Sequence, residues 1–142
     1  MSQLLAPSVS AIFVALALWH FYMAFAPASG QGGAVPVEND KPLFLPSTRA
    51  TLAVGAVLLM FAALVAATAD ELPIALPRGL LVGLSYALAA GLAARSVGEF
   101  RYVGFFKRVR GSRFAVLDTY FYSPLCLLLA AGVALVAHQS HS

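Results

Sequence analysis

Four apolar stretches, each about as long as a bilayer is thick, constrain this chain more than any other feature. They run from about Ser8 to Ala26, Arg49 to Ala69, Pro77 to Ala94 and Phe114 to Ala137. A helix rises 1.5 Å per residue, so roughly 20 apolar residues cross a ~30 Å hydrocarbon core. In lipid every backbone polar group must be bonded within the segment, and continuous Ala, Leu and Val achieve this as helices. A membrane β-barrel would need polar and apolar residues to alternate, and they do not. The expected fold is all-α: an integral membrane four-helix bundle running up-down-up-down, a single transmembrane domain over residues 1–142. The third helix could extend as far as residue 106.

Composition closes off the soluble alternative. The chain is 61% hydrophobic and 11% charged, against about 45–50% and 25% in soluble domains. The net charge of +3 would suit a nucleic-acid partner, but nearly all the basic residues flank apolar segments, where they meet lipid headgroups. The expected partner is the bilayer. The N-terminus lacks the basic stretch of a cleavable signal peptide, so the first apolar run reads as a retained helix.

Cys126 is the sole cysteine, which excludes an intrachain disulfide, a CxxC redox pair and a thiolate metal cage. His20 stands at one end of the first helix, while His138 and His141 stand at the far end of the fourth. A bis-histidine haem needs both ligands at one depth, so haem is disfavoured. No metal site is legible, and no particular cofactor is implied.

Helix boundaries carry their own signals. Ser47 and Thr48 suit the cap of the second helix, and Pro77 the first turn of the third. Between the first two helices, residues 27–46 contain Gly30, Gly32, Gly33, Pro36 and Pro42 and do not read as helix. A connection that long is either functional, as a lid, or a plain linker. Eight of the nine basic residues, Lys41, Arg49, Arg95, Arg101, Lys107, Arg108, Arg110 and Arg113, fall on one side of the four-helix layout. The positive-inside rule places that side in the cytoplasm and both termini outside, with the bacterial inner (plasma) membrane as location.

That layout gathers scattered polar residues into one layer. Trp19, His20 and Tyr22 lie near the basic end of the first helix, and Arg49 opens the second there. Arg95, Glu99 and Arg101 continue from the third, while Asp118, Tyr122 and Ser123 open the fourth. Arg95 and Glu99 are four apart and would share a face if the third helix continued. Pro124 cannot donate to the carbonyl of Tyr120 and so interrupts the fourth helix in the same layer. The opposite halves of the helices read as almost purely apolar. These features describe a polar pocket bounded by His20, Tyr22, Arg95, Glu99, Asp118, Tyr122 and Ser123. The plainer readings are that the arginines snorkel to headgroups, the aromatics form an interfacial belt, and His20 makes one structural hydrogen bond. Glu99 and Asp118 gain nothing from anionic headgroups and are expected to pair with arginines. Gly79 and Gly83 have the small-xxx-small spacing of close helix contacts.

Trp19-His20-Phe21-Tyr22, the run from Phe100 to Lys107, Phe114-Ala115, Asp118 and the run from Tyr122 to Cys126 together resemble a bacterial family of small four-helix membrane proteins. The resemblance covers nearly the whole chain, including Pro42-Leu43-Phe44 and Pro46. That family is a domain of unknown function, so the resemblance implies the four-helix fold and no activity. The layout also looks like that of the small glutathione-dependent enzymes of eicosanoid metabolism, but their Glu-Arg-x-x-Arg signature is missing from the second helix.

The function expected from these residues is binding of a lipid-like or amphiphilic small molecule at the cytoplasmic leaflet. Arg49, Arg95 and Arg101 would meet its head, and Asp118, Glu99 and His20 would be the proton-transfer groups of any enzyme built there. The alternative is a structural or accessory subunit, as a homo-oligomer or in a larger membrane complex. A proton-coupled transporter fits worst, because the first two helices hold no mid-membrane acid.

Overall fold

The computed structural model describes residues 2–25, 37–38, 41–42, 47–98, 104, 106–108, 111 and 113–141. Four helical spans dominate: α1 (Ser2–Phe25), α2 (Thr48–Thr68), α3 (Arg78–Val97), and a fourth made of α4 (Arg113–Leu117), a π-helical turn (Asp118–Tyr122) and α5 (Ser123–His141). A two-residue antiparallel pairing, β1 (Val37–Glu38) with β2 (Lys41–Pro42), lies between α1 and α2. All four spans are long and apolar enough to cross a membrane, as expected for a multi-pass membrane protein. Within their most apolar windows only 22% to 39% of residues are buried. Leu18, Met60, Leu128 and Leu135 are among the many large apolar side chains left facing outward. In water such a surface would aggregate, whereas in a bilayer it is the solvated one.

Lipid tails are as apolar as leucine, so helices in a bilayer are held by close packing rather than by the hydrophobic effect. The interior follows that rule. Ala6, Val9, Phe13 and Ala17 form the buried stripe of α1, spaced by three or four residues as one helix face requires. Phe13 meets Phe61 of α2 edge-on, with ring centroids 5.7 Å apart. Gly55 of α2 receives the Phe21 ring, whose nearest atom lies 2.5 Å from where a Cβ would stand. Gly132 of α5 likewise receives the Val9 side chain, at 2.8 Å. The closest pairings are α1 with α2 and α3 with α5. Gln3 of α1, Ala69 after α2, Arg78 of α3 and Gln139 of α5 line one cleft, so consecutive spans run in opposite directions.

Boundaries differ from expectation for local reasons. α1 starts at Ser2 rather than about Ser8 and contains Pro7. The ring removes one donor, to the carbonyl of Gln3, and Gln3 sits at an exposed end where water can replace it. Ser47 caps α2 as expected, its hydroxyl accepting from Ala50 N–H at 3.1 Å. Pro77 stands one residue before α3 as its N-cap. The continuation of the third helix toward 106 does not occur: α3 ends at Val97, and Gly98 follows with φ 85°. That backbone conformation ends a right-handed helix. α2 ends in a Schellman turn, with Asp70 N–H bonded to Ala67 O and Glu71 N–H to Ala66 O. The left-handed position, normally glycine, is taken by Asp70 at φ 62°, a substitution that costs roughly 1 kcal/mol.

Candidate functional site

Asp118 is the centre of the buried polar structure, and the backbone around it explains its position. Pro124 has no N–H for the carbonyl of Tyr120, and the chain responds by widening, not by breaking. Ser123 N–H bonds to Asp118 O across five residues, closing a π-helical turn over Asp118–Tyr122. Such turns are rare and concentrate at functional sites. The wider turn carries one residue more than an α-turn, so side chains before and after it are offset by about 100°. Asp118 is thereby aimed at α3 and the segment after it rather than along the face of α5.

The Asp118 carboxylate is fully buried, and four donors converge on it. On Oδ1 they are Arg95 Nη2 at 2.7 Å and the Ser123 hydroxyl at 3.2 Å. On Oδ2 they are the Gly104 backbone N–H at 2.6 Å and Lys107 Nζ at 3.1 Å. Lys107 is equally buried, its side chain 0% exposed. Its ammonium also donates to Gly104 O at 2.9 Å and to the Thr119 hydroxyl. Ser96 of α3 completes the layer, donating to the backbone carbonyl of Ser123 at 3.0 Å. Burying one carboxylate and one ammonium costs several kcal/mol each unless they are paired and their remaining donors and acceptors satisfied. Here the carboxylate is saturated by the chain's own donors, so Asp118 ties together α3, the segment after it and the start of α5.

Gly104 is fixed by geometry. It has φ 90°, and a Cβ there would overlap the backbone of Val97 and Gly98. Its bond to Asp118 therefore pins the segment after α3 against the end of that helix. Arg95 faces outward as well. Its side chain is 32% exposed; Nη2 is spent on Asp118, while Nη1 is buried without a hydrogen-bond partner among the described residues.

Of the residues singled out from the sequence, the structure brings together Asp118, Arg95 and Ser123. Asp118 is paired with an arginine, as expected; Glu99 and Arg101 lie outside the described residues. His20 bonds within its own helix, Nδ1 lying 2.8 Å from Leu16 O. Tyr22 is exposed and stacks on Trp19, with centroids 5.6 Å apart. Arg49 is exposed at the start of α2. None of these three bonds to the Asp118 cluster among the described residues. Tyr122 is half-buried beside it, its ring 5.8 Å from that of Phe114. Among the described residues, side chains close on one another around Asp118, and His20 does not join them.

Lys107, Gly104 and Ser96 were missed by the sequence reading. Lys107 looked like one more snorkelling base in a basic loop. The one available signal was the preceding Gly-Phe-Phe, since a lysine after two large apolar residues is placed to dip inward.

The opposite ends of the helices are not purely apolar, which corrects the sequence reading. Thr68 and Ser85 are fully buried, their hydroxyls 2.9 Å apart between α2 and α3. Arg78 donates to Thr68 O at 2.7 Å and pairs with Asp70. Serine and threonine hydroxyls can bond to carbonyls one turn back, and Thr68 does so to Leu64 O at 2.8 Å. Nothing in a single sequence separates that role from a contact between helices.

A bundle of four apolar spans around an interhelical carboxylate, guanidinium and ammonium defines a polytopic helical membrane protein with a buried ionic lock. Within that class, the chain belongs to the DUF3995 family, described as a protein of unknown function, whose model matches residues 13–133. The match includes every member of the Asp118 cluster. Comparison with curated proteins and with solved structures gave no match.

Proposed function

We propose that the protein receives the anionic head of a lipid-like amphiphile at the basic end of the bundle, with Arg95 as the contacting group and the Asp118 cluster as the frame that holds it. The observation that carries this reading is the divided guanidinium. One edge of Arg95 is fixed by a buried carboxylate, and the other holds a buried N–H without a partner among the described residues, on a side chain open to the surface. Guanidinium groups bind carboxylates and phosphates through paired N–H donors, so an anionic head would satisfy what the protein leaves open. With Asp118 set against Arg95 and Lys107, the described cluster also carries one surplus positive charge. The apolar faces of α3 and α5 would accommodate the tail. By the charge asymmetry of the loops, this end lies in the cytoplasmic leaflet of the plasma membrane.

Lipid mass spectrometry on gently purified protein tests the reading, comparing the unmutated chain with Arg95→Lys. Lysine keeps a cation for Asp118 and removes the second nitrogen. The unmutated protein should retain an anionic amphiphile above the detergent background and Arg95→Lys should lose most of it. Equal retention would overturn the proposal. Labelling of a cysteine placed at Arg108 by an impermeant reagent on intact cells would overturn the assigned sidedness.

One observation favours a second reading, a structural or accessory subunit. The saturation of Asp118 is what a helix-locking ion pair requires, with no chemistry of its own. Under that reading the protein would copurify with a larger membrane complex and retain no specific amphiphile. Catalysis through Asp118 is disfavoured by the same saturation.

A further inference from the structure

At the end of the bundle opposite Asp118, the four helix ends leave a cleft of about 470 Å³. Its polar lining is Gln3 from α1, Asp70 and Glu71 from the turn after α2, Arg78 from α3, and Gln139 and Ser140 from the last turn of α5. Ala6 and Val136, both buried, contribute its apolar part. The size falls in the range of small-molecule sites. The charges decide what it can hold. Arg78 is engaged, Nη1 with Thr68 O and Nη2 with Asp70, so those two charges offset each other. Glu71 has no ion pair among the described residues. Among the described residues the cleft therefore carries one uncompensated negative charge, beside the amide oxygens of Gln3 and Gln139 and the hydroxyl of Ser140, all able to accept N–H donors.

The geometry points to a second binding site at this end, one that takes a primary ammonium group, with Glu71 as counter-ion and the glutamine amides accepting its N–H bonds. This chemistry is opposite in sign to that of the Arg95 end, and the two sites are independent. Three fixed points hold the cleft open. Glu71 N–H is bonded to Ala66 O at 2.8 Å, Arg78 ties the turn to α2, and Thr68 and Ser85 lock α2 to α3 below it. An anion would meet the Glu71 carboxylate, which no described residue pairs, while the guanidinium is occupied. A metal is not favoured, since no group of three His, Cys, Asp or Glu ligands forms among the described residues. The ammonium could come from a free primary amine or from a phosphatidylethanolamine headgroup.

Calorimetric titration of the purified protein with ethanolamine hydrochloride tests the site directly. Glu71→Gln, a change on an exposed turn, should weaken binding by about tenfold, as expected for a hydrogen bond to a charged partner. Gln139→Leu should weaken it severalfold, and Arg95→Lys should leave it unchanged. Choline, which has no N–H to donate, should bind about tenfold more weakly than ethanolamine. In a second arm, the protein is placed in nanodiscs of phosphatidylcholine with and without phosphatidylethanolamine, and retained lipid is counted by native mass spectrometry. Retention of phosphatidylethanolamine that is lost in Glu71→Gln assigns the site to a lipid head; ethanolamine binding without such retention assigns it to a free amine. Both outcomes support the site. Failure of both ethanolamine and phosphatidylethanolamine to bind, equal binding of choline, or insensitivity of both arms to Glu71→Gln would overturn it.

Discussion

The two ends of the bundle use the same chemistry, a carboxylate held by an arginine on α3, in opposite environments. At one end the Asp118 side chain is 0% exposed and Arg95 32% exposed; at the other, Asp70 and Arg78 are 71% and 45% exposed. The exposed pair sits in water, where an ion pair is worth about 0–1 kcal/mol. Asp118 has lost its hydration and needs four protein donors to replace it. The difference shows why a similar contact can be a loose surface bridge in one place and a lock in another. Desolvation sets the cost of breaking the pair, and breaking it strands a charge only where water cannot reach. The same difference separates a carboxylate whose oxygens the chain's own donors fill from one left at the edge of an open cleft.

Substitutions at the two ends should therefore give very unequal effects. The largest is expected for Asp118→Ala, which leaves Lys107 buried with no carboxylate and should destabilise by about 3–5 kcal/mol. Unfolding in mixed detergent–SDS micelles measures it, and an unmutated transition would show that the cluster is not a lock. Lys107→Met should cost somewhat less, about 2–4 kcal/mol, because Arg95 remains on the carboxylate. Combining Lys107→Met with Asp118→Asn should recover part of the loss, giving a coupling of roughly 0.5–3 kcal/mol in a double-mutant cycle; strict additivity would mean that the pair does not act as a unit. Gly104→Ala should cost about 1–3 kcal/mol through its positive φ and its overlap with Val97, read as a lowered midpoint in the same assay. The smallest effect is expected at the open end. Asp70→Gly removes an exposed ion pair but relieves the left-handed backbone, and the two should nearly cancel, within about 0.5 kcal/mol. A loss as large as that of Asp118→Ala would erase the distinction between the ends.

The local part of this was legible beforehand. Pro124 marked the break in the helical ladder, and Asp118 could be expected to pair with arginine because a carboxylate has no favourable place in lipid. The expectation that the helix would simply be interrupted was too coarse, since the backbone found an alternative bond across five residues. The side chains joined to Asp118 could not be ranked. Lys107 and Arg108 are adjacent and both basic, yet one is buried and the other exposed. Thr68 and Ser85 read as polar punctuation in apolar helices, although they face each other.

By itself the sequence determined the four spans, their helical state and the concentration of basic residues at one end. Those properties depend on segment length, backbone satisfaction in lipid and charge counting, which act within a few consecutive residues. Tertiary structure alone decided that Asp118 meets Lys107 and the Gly104 backbone, that His20 turns back to its own helix, and that the cleft opens at the other end. Which side chain fills a desolvated site depends on the rotation of one helix against another. That rotation is set by a few close contacts, Gly55 against Phe21 and Gly132 against Val9 among them, between residues far apart in the chain.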